Sequence, residues 1–134
     1  MSEFMVRQIG LVRSPLADRS AAPLQGFEGG PSAWLEFDAD VAEGLSDVGI
    51  GDDLYLLTWF HLADRSVLSL HPRGDPANPV TGVFSTRSPD RPNPIGLHRV
   101  TVLETEPARL HVSDLEAVDG TPIIDVKPVL PGGA

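Results

Sequence analysis

The sequence predicts a mainly β chain, folded as a small closed or nearly closed β structure with short helical turns. Three observations lead there. Thirteen prolines and 13 glycines punctuate the 134 residues, which leaves little uninterrupted length for helices. Several short segments alternate apolar and polar residues, as in ARLHVSDLEAV, where Leu110, Val112 and Asp114 fall on one face. The strand–helix alternation that builds a parallel sheet is missing. The chain's 134 residues, 41% of them hydrophobic, fit one domain over 1–134 with a single core.

The candidate strands, in order, are 6–13, 34–37, 53–61, 80–86, 97–103, 108–114 and 123–126. One or two helical turns are expected over 39–46, with Asp38 or Asp40 as cap. Asp119-Gly120 is a turn signal between the apolar stretch 115–118 and the strand 123–126. Residues 131–134 are expected to be disordered or to lead into an extension. Gly49 and Gly51 do not make a dinucleotide fingerprint. The third glycine and the preceding strand are missing, and Asp52-Asp53 stands where phosphate would bind.

Composition excludes several functions. There is no cysteine, so disulfides, thiolate zinc sites and a cysteine nucleophile are ruled out. The four histidines lack metal-ligand spacing, and no metal is expected. The N-terminal segment MSEFMVRQIG does not read as a signal peptide. The longest apolar stretch, 54–63, is too short for a bilayer span of roughly 20 residues. A soluble cytoplasmic protein with no membrane partner is the expectation.

The formal charge is −9, which argues against non-specific nucleic-acid binding. The charges are unevenly spread. Residues 20–64 carry nine acidic residues and no Lys or Arg, whereas 65–99 carry five arginines against Asp75 and Asp90. Such a basic stretch is either scatter or a place where an anionic group binds.

Within it lies GVFSTRSPDRPNPIGLHR, residues 82–99. Pro89, Pro92 and Pro94 fix φ and restrict the residues before them, so the loop is stiff. A stiff loop holds its backbone groups ready for a ligand. Arg87 and Arg91 can each fork onto a carboxylate. Asn93 can bond a ligand amide or close an Asx turn, and Gly96 permits close backbone approach or a positive φ. The residues alone equally allow a rigid structural turn with solvated arginines.

The run GVFSTRSPDRPNPIGLHRV, with LEAVDGTPIIDVKP near the end and IGLVRSP near the start, resembles the TsaA-like or TrmO family of tRNA methyltransferases. The resemblance runs from Ile9 to Pro131. It implies a small β-barrel, a homodimer, and S-adenosylmethionine bound partly across the dimer interface. Carried over by position, the implied donor contacts are Leu24, Gln25 and Gly26 in APLQGF. They continue with His61 and Leu62 in WFHL, Arg87 and Leu97 in the central motif, and Ser113, Asp114, Leu115 and Glu116 before VDGTP. Arg87 suits the donor carboxylate, and Asp114 or Glu116 takes the acidic role toward amine or ribose. Leu62, Leu97 and Leu115 can wall the adenine.

N-methylation requires a proton to leave the acceptor nitrogen. The candidate bases are His98, His61, Asp114 and Asp125. The family usually has serine at position 98, so His98 is a base, a substrate contact, or a half-exposed strand histidine. His71 and His111 read as surface residues. Arg91, Asn93, Asp119, Thr121 and Lys127 are candidate substrate contacts, although 119–122 equally reads as a hairpin turn with Lys127 paired to Asp125.

The chain departs from the family on the acceptor side. Val129 follows the final Lys-Pro where tyrosine is usual. The stretch LADRSVLSLHPRGDPAN carries only Arg65 and Arg73, and no counterpart of the additional C-terminal domain is expected. The expected function is therefore an S-adenosylmethionine-dependent methyltransferase acting on modified adenosine in tRNA or on a small molecule. The alternative is a non-catalytic module that binds or senses S-adenosylmethionine.

Overall fold

The computed structural model describes residues 2–20 and 22–134; Met1, in the segment read for a leader, and Ala21 lie outside it. Eight strands are present: β1 (Gly10–Arg13), β2 (Ala33–Phe37), β3 (Asp53–Trp59), β4 (Ser69–Leu70), β5 (Thr81–Gly82), β6 (Ile95–Glu106), β7 (Arg109–Val112) and β8 (Pro122–Pro128). Six form one sheet in the order β1-β2-β7-β6-β3-β8, and β8 returns to β1 through Gly10↔Ile123 and Leu11↔Pro122. Hydrogen bonds thus close the sheet on itself and leave it no free edge. All its pairings are antiparallel.

Period-2 alternation places the core. Leu54 and Leu56 on β3, Val100 and Val102 on β6, and Leu110 and Val112 on β7 all point inward, with Val12, Leu35 and Ile123. Leu56 is fully buried. Leu56→Ala should therefore cost about 2–5 kcal/mol, through lost burial and the cavity left behind. A drop in the urea midpoint at unchanged slope would register it.

The longest connection, residues 60–94, leaves the closed sheet after β3 and returns at β6. It carries the small β4–β5 pair, with Ser69↔Gly82 and Leu70↔Thr81. Where β3 meets this insertion its register on β8 shifts between Leu57 and Thr58, and such a bulge re-aims the side chains beside it.

Several expectations need correction. β1 is shorter than 6–13, although the Ile9 backbone still bonds Ile123 and Asp38 at 2.8 Å each. Residues 80–86 are a strand only at Thr81–Gly82. Val83–Ser85 winds into a 3-10 turn instead, and Arg91 grips the Val83 and Thr86 carbonyls that end it. Ala39–Leu45 is a 3-10 helix with Asp38 at its cap position but no side-chain capping bond. Asp114 leaves the inward face of β7 with φ 51° and is exposed. Asp119-Gly120 does not close a hairpin, because 115–118 is not a strand. The turn docks on β1 instead, with the Ser14 amide donating to Asp119 Oδ1 at 3.0 Å and the Gly120 amide to the Val12 carbonyl at 2.8 Å. The tail 131–134 is folded back rather than disordered: the Tyr55 hydroxyl donates to the Gly133 carbonyl at 2.8 Å.

Candidate functional site

Two adjoining hollows lie where the insertion meets the closed sheet. The smaller is a cavity of about 400 Å³ on the outer face of β3 and β6, walled by residues of the 25–27 loop, the two strands and the stretch 113–116. The larger is an open groove of about 1340 Å³ running beneath the insertion. Gln25, Phe27, Arg87, Leu97 and Glu116 line both.

The small cavity gathers residues from five separate parts of the chain: 25–27, Tyr55, Arg87, 97–101 and 113–116. Leu97 and Arg99 project outward from β6 because Gly96, His98 and Val100 point inward. Gly26 brings the 25–27 loop against the 113–116 stretch. A Cβ at Gly26 would overlap the Asp114 carbonyl oxygen and lie 2.9 Å from Glu116 Oε2. Asp114 lines the cavity, and its αL backbone is uncommon for a residue with a side chain.

The insertion is fixed by short local bonds. The Ser88 amide donates to Thr86 Oγ1 and the Asp90 amide to Ser88 Oγ, both at 3.2 Å. The Phe60 amide donates to the Pro94 carbonyl at 2.8 Å. Ser66 donates its hydroxyl and amide to Asp64 Oδ1 at 2.6 and 2.9 Å, and these bonds hold that carboxyl below the usual carboxylate range.

The basic stretch resolves into four arginines with internal partners and one without. Arg65 donates to the Pro92 carbonyl at 2.8 Å and to Asn93 Oδ1 at 3.2 Å. Arg73 meets both Glu28 oxygens at 2.9 Å. Arg91 forks onto backbone carbonyls rather than onto a carboxylate, and Arg99 lies 3.6 Å from Asp53. Arg87 alone of the five has no hydrogen bond or ion pair among the described residues. It is exposed and lines both hollows.

A largely buried polar chain forms part of the cavity wall, which His98 and Glu116 both line. His98 is 2% exposed, not half-exposed as a strand histidine would be. Its Nδ1 pairs with Glu116 Oε1, and its Nε2 lies 2.7 Å from Thr58 Oγ1. Phe60 packs edge-on against the ring, with centroids 5.7 Å apart. Gly96 is needed here for close approach, since a Cβ would stand 2.7 Å from both His98 Nε2 and Phe60 Cζ. With both ring nitrogens engaged, His98 is not a free base facing an acceptor.

The other expected site residues divide. Gln25, Gly26, Ser113, Asp114 and Glu116 line the small cavity, and Leu24, His61, Leu62, Arg91 and Thr121 line the groove. Leu115 does not wall a ligand: it is fully buried in the core. Asn93, Asp119, Asp125 and Lys127 line neither hollow; Lys127 pairs with Asp125 at 3.1 Å. His111 lies on the outer face of β7, partly buried. It stacks on Trp34 at 4.8 Å, with Nδ1 2.8 Å from Glu104. Reading the residues missed Tyr55, Arg99 and Thr101 on the cavity, Phe27 on both hollows, and Phe60 and Phe84 in the groove. Alternation from Leu97 along β6 leads directly to Arg99 and Thr101. Among the described residues, no cluster of three or more His, Asp or Glu could hold a metal ion.

Closed antiparallel sheet, outer-face cavity, and unpaired groups of both charges together define a small-molecule-binding β domain. Over residues 11–132 the sequence matches the family described as the tRNA-methyltransferase O N-terminal domain, and the chain belongs to that family. A relative in Methanothermobacter thermautotrophicus, described as a probable S-adenosyl-L-methionine-binding protein, is 40% identical over 94% of this chain and 90% of its own length. An Archaeoglobus fulgidus protein described as S-adenosyl-L-methionine-binding is 41% identical over 95% and 90%. The crystal structure of TrmO from Pseudomonas aeruginosa superposes with a TM-score of 0.77 at 32% identity, covering 98% of this chain but 58% of that one.

Proposed function

We propose that the chain is an S-adenosylmethionine-dependent methyltransferase with its donor site in the smaller cavity. One observation carries the reading. Arg87 is unpaired there, beside Asp114 and Glu116 Oε2, which also lack hydrogen-bond partners among the described residues. Such a set matches a ligand bearing both a carboxylate and an amine. Arg87 takes the carboxylate, Asp114 and Glu116 accept from the amine or ribose hydroxyls, and Phe27 and Leu97 supply apolar wall.

When bound, the donor supplies a sulfonium methyl: its carbon–sulfur bond breaks as the bond to the acceptor nitrogen forms, the electron pair passing to sulfur. The protein's part is to align the acceptor and exclude water. A strong anion held at the sulfur would favour the ground state over the transition state. Of the candidate bases, Asp114 lines the smaller cavity and His61 the groove, whereas Asp125, paired with Lys127, lines neither.

The acceptor enters by the groove. Arg19, Arg73, Arg87 and Arg91 line it, but Arg19 contacts the Leu62 carbonyl and Asp90, Arg73 and Arg91 are spent as described, and Arg87 is assigned to the donor. Little cationic surface remains for a phosphate backbone, which favours a small-molecule acceptor over modified adenosine in tRNA. Phe27 and Phe84, 81% and 82% exposed on the groove, support a homodimer in which a second copy covers them. No helix among the described residues is long and apolar enough to cross a membrane, in keeping with a cytoplasmic enzyme.

Calorimetry is expected to register S-adenosylmethionine binding, and no binding at millimolar donor overturns the reading. Donor with a labelled methyl group, offered to bulk tRNA and separately to a small-metabolite extract, identifies the acceptor. Label in the metabolite fraction alone supports the small-molecule reading, and label in tRNA reverses it. The curated relatives' descriptions speak of binding rather than transfer. Binding without label in either fraction therefore favours a non-catalytic sensing module.

A further inference from the structure

We infer that His98 is a positioning residue, which fixes the Glu116 carboxylate so that its second oxygen faces the donor cavity. This rests on the donor site proposed above.

The geometry is specific. Glu116 lies between Leu115 and Ala117, both buried in the core, so its backbone is anchored from either side. His98 Nδ1 holds Oε1. Oε2 lies 2.9 Å from where a Cβ on Gly26 would stand, without a protein partner, on a side chain that keeps 11% of its surface open. The ring that does the holding is itself pinned at every edge. Thr58 Oγ1 meets Nε2, Phe60 closes one side, and the bare Cα of Gly96 leaves just enough room. Thr58 sits at the β3 register shift, so the irregularity and the polar chain coincide.

Fold stability alone is a weak reason for this arrangement. A buried ionisable pair is commonly replaceable by apolar residues of similar volume at no loss. Its free end opens into the cavity, where a prefixed acceptor oxygen reduces the ordering cost of binding. Without His98, both carboxylate oxygens would lack a protein donor and the side chain would regain rotamer freedom.

The test is calorimetry of S-adenosylmethionine on five proteins, with melting temperature recorded for each: wild type, His98→Leu, His98→Asn, Glu116→Gln and the double variant His98→Leu/Glu116→Gln. His98→Leu is expected to weaken binding roughly ten- to hundredfold, as loss of a prefixed charge-assisted contact does. His98→Asn keeps a donor near the Nδ1 position and should recover most of the affinity. In the Glu116→Gln background, His98→Leu should change affinity by no more than about twofold, because His98 acts only through Glu116. Additive losses, or wild-type affinity in His98→Leu, overturn the inference. If His98→Leu does not fold, Asn against Gln at position 98 decides. Gln carries its amide toward Thr58 instead of Glu116, and binding as tight as that of Asn counts against the inference. Absence of binding by the wild type is a different result: it removes the donor site itself.

Discussion

Arg87→Ala is expected to weaken S-adenosylmethionine binding about ten- to hundredfold, the loss of one or two charge-assisted hydrogen bonds, and to leave the melting temperature unchanged. The reasoning is by difference. Arg87 is exposed on the cavity and makes no contact with another charged or polar group among the described residues, so the fold loses nothing when it is cut back. Arg91, four residues on, is the contrast. Its guanidinium bonds the Val83 and Thr86 carbonyls, and Arg91→Ala should lower the melting temperature by removing the bonds that tie the 83–86 turn to the proline-rich loop. Paired calorimetry and melting on the two variants separate ligand cation from structural cation. Equal binding by Arg87→Ala and wild type would remove Arg87 from the site.

Gly26→Ala is expected to have the largest structural effect at the site. Its Cβ would overlap a carbonyl oxygen and lie 2.9 Å from the carbonyl carbon of Asp114. Both are backbone atoms, which cannot rotate aside as a side chain can. Gly30 packs on the same stretch, where a Cβ would stand 3.0 Å from the carbonyl carbons of Asp114 and Leu115, so the loop has no room to retreat. Overpacking of this kind costs about 1–3 kcal/mol or more, and it pulls apart the two walls that hold Gln25 and Glu116. Chemical denaturation should register the first effect and calorimetry the second, as a loss of donor affinity beyond tenfold. Gly44→Ala is the control: its Cβ meets nothing within 4 Å, and stability should be unchanged or slightly raised.

The strands were legible because alternation survives translation into a closed sheet. Leu54 and Leu56, and Leu110 and Val112, face inward as their spacing requires. What failed were segments whose conformation is set by distant partners. Residues 80–86 look like a strand until Arg91 captures the Val83 carbonyl, and Leu115, Ala117 and Val118 are apolar because they are buried, not because 115–118 pairs as a strand. The site divides similarly. Arg87 and Leu97 followed from the family motif, and both line the cavity. The partners of Arg65, Arg73 and Arg99 lie 28, 45 and 46 residues away at Asn93, Glu28 and Asp53, so no local pattern could reveal which arginine stays free. The pairing of His98 with Glu116 is of the same kind, since it needs the 113–116 stretch folded against β6. Leu115 was misplaced for a simpler reason: a motif gives positions, whereas the side of the chain that faces inward depends on the αL step at Asp114.

The insertion over 60–94 departs from the closed sheet and rejoins it without supplying any of its six strands. The smaller cavity takes only Arg87 from it, whereas the groove takes more than a dozen of its residues. On the proposed function, donor recognition falls on the sheet and its 25–27 and 113–116 flanks with Arg87 as the insertion's contribution, and acceptor recognition falls mainly on the insertion. On that reading, rewriting 62–78, which supplies none of the smaller cavity's lining, would change the acceptor and leave every proposed donor contact in place, so new acceptors would come by loop variation alone.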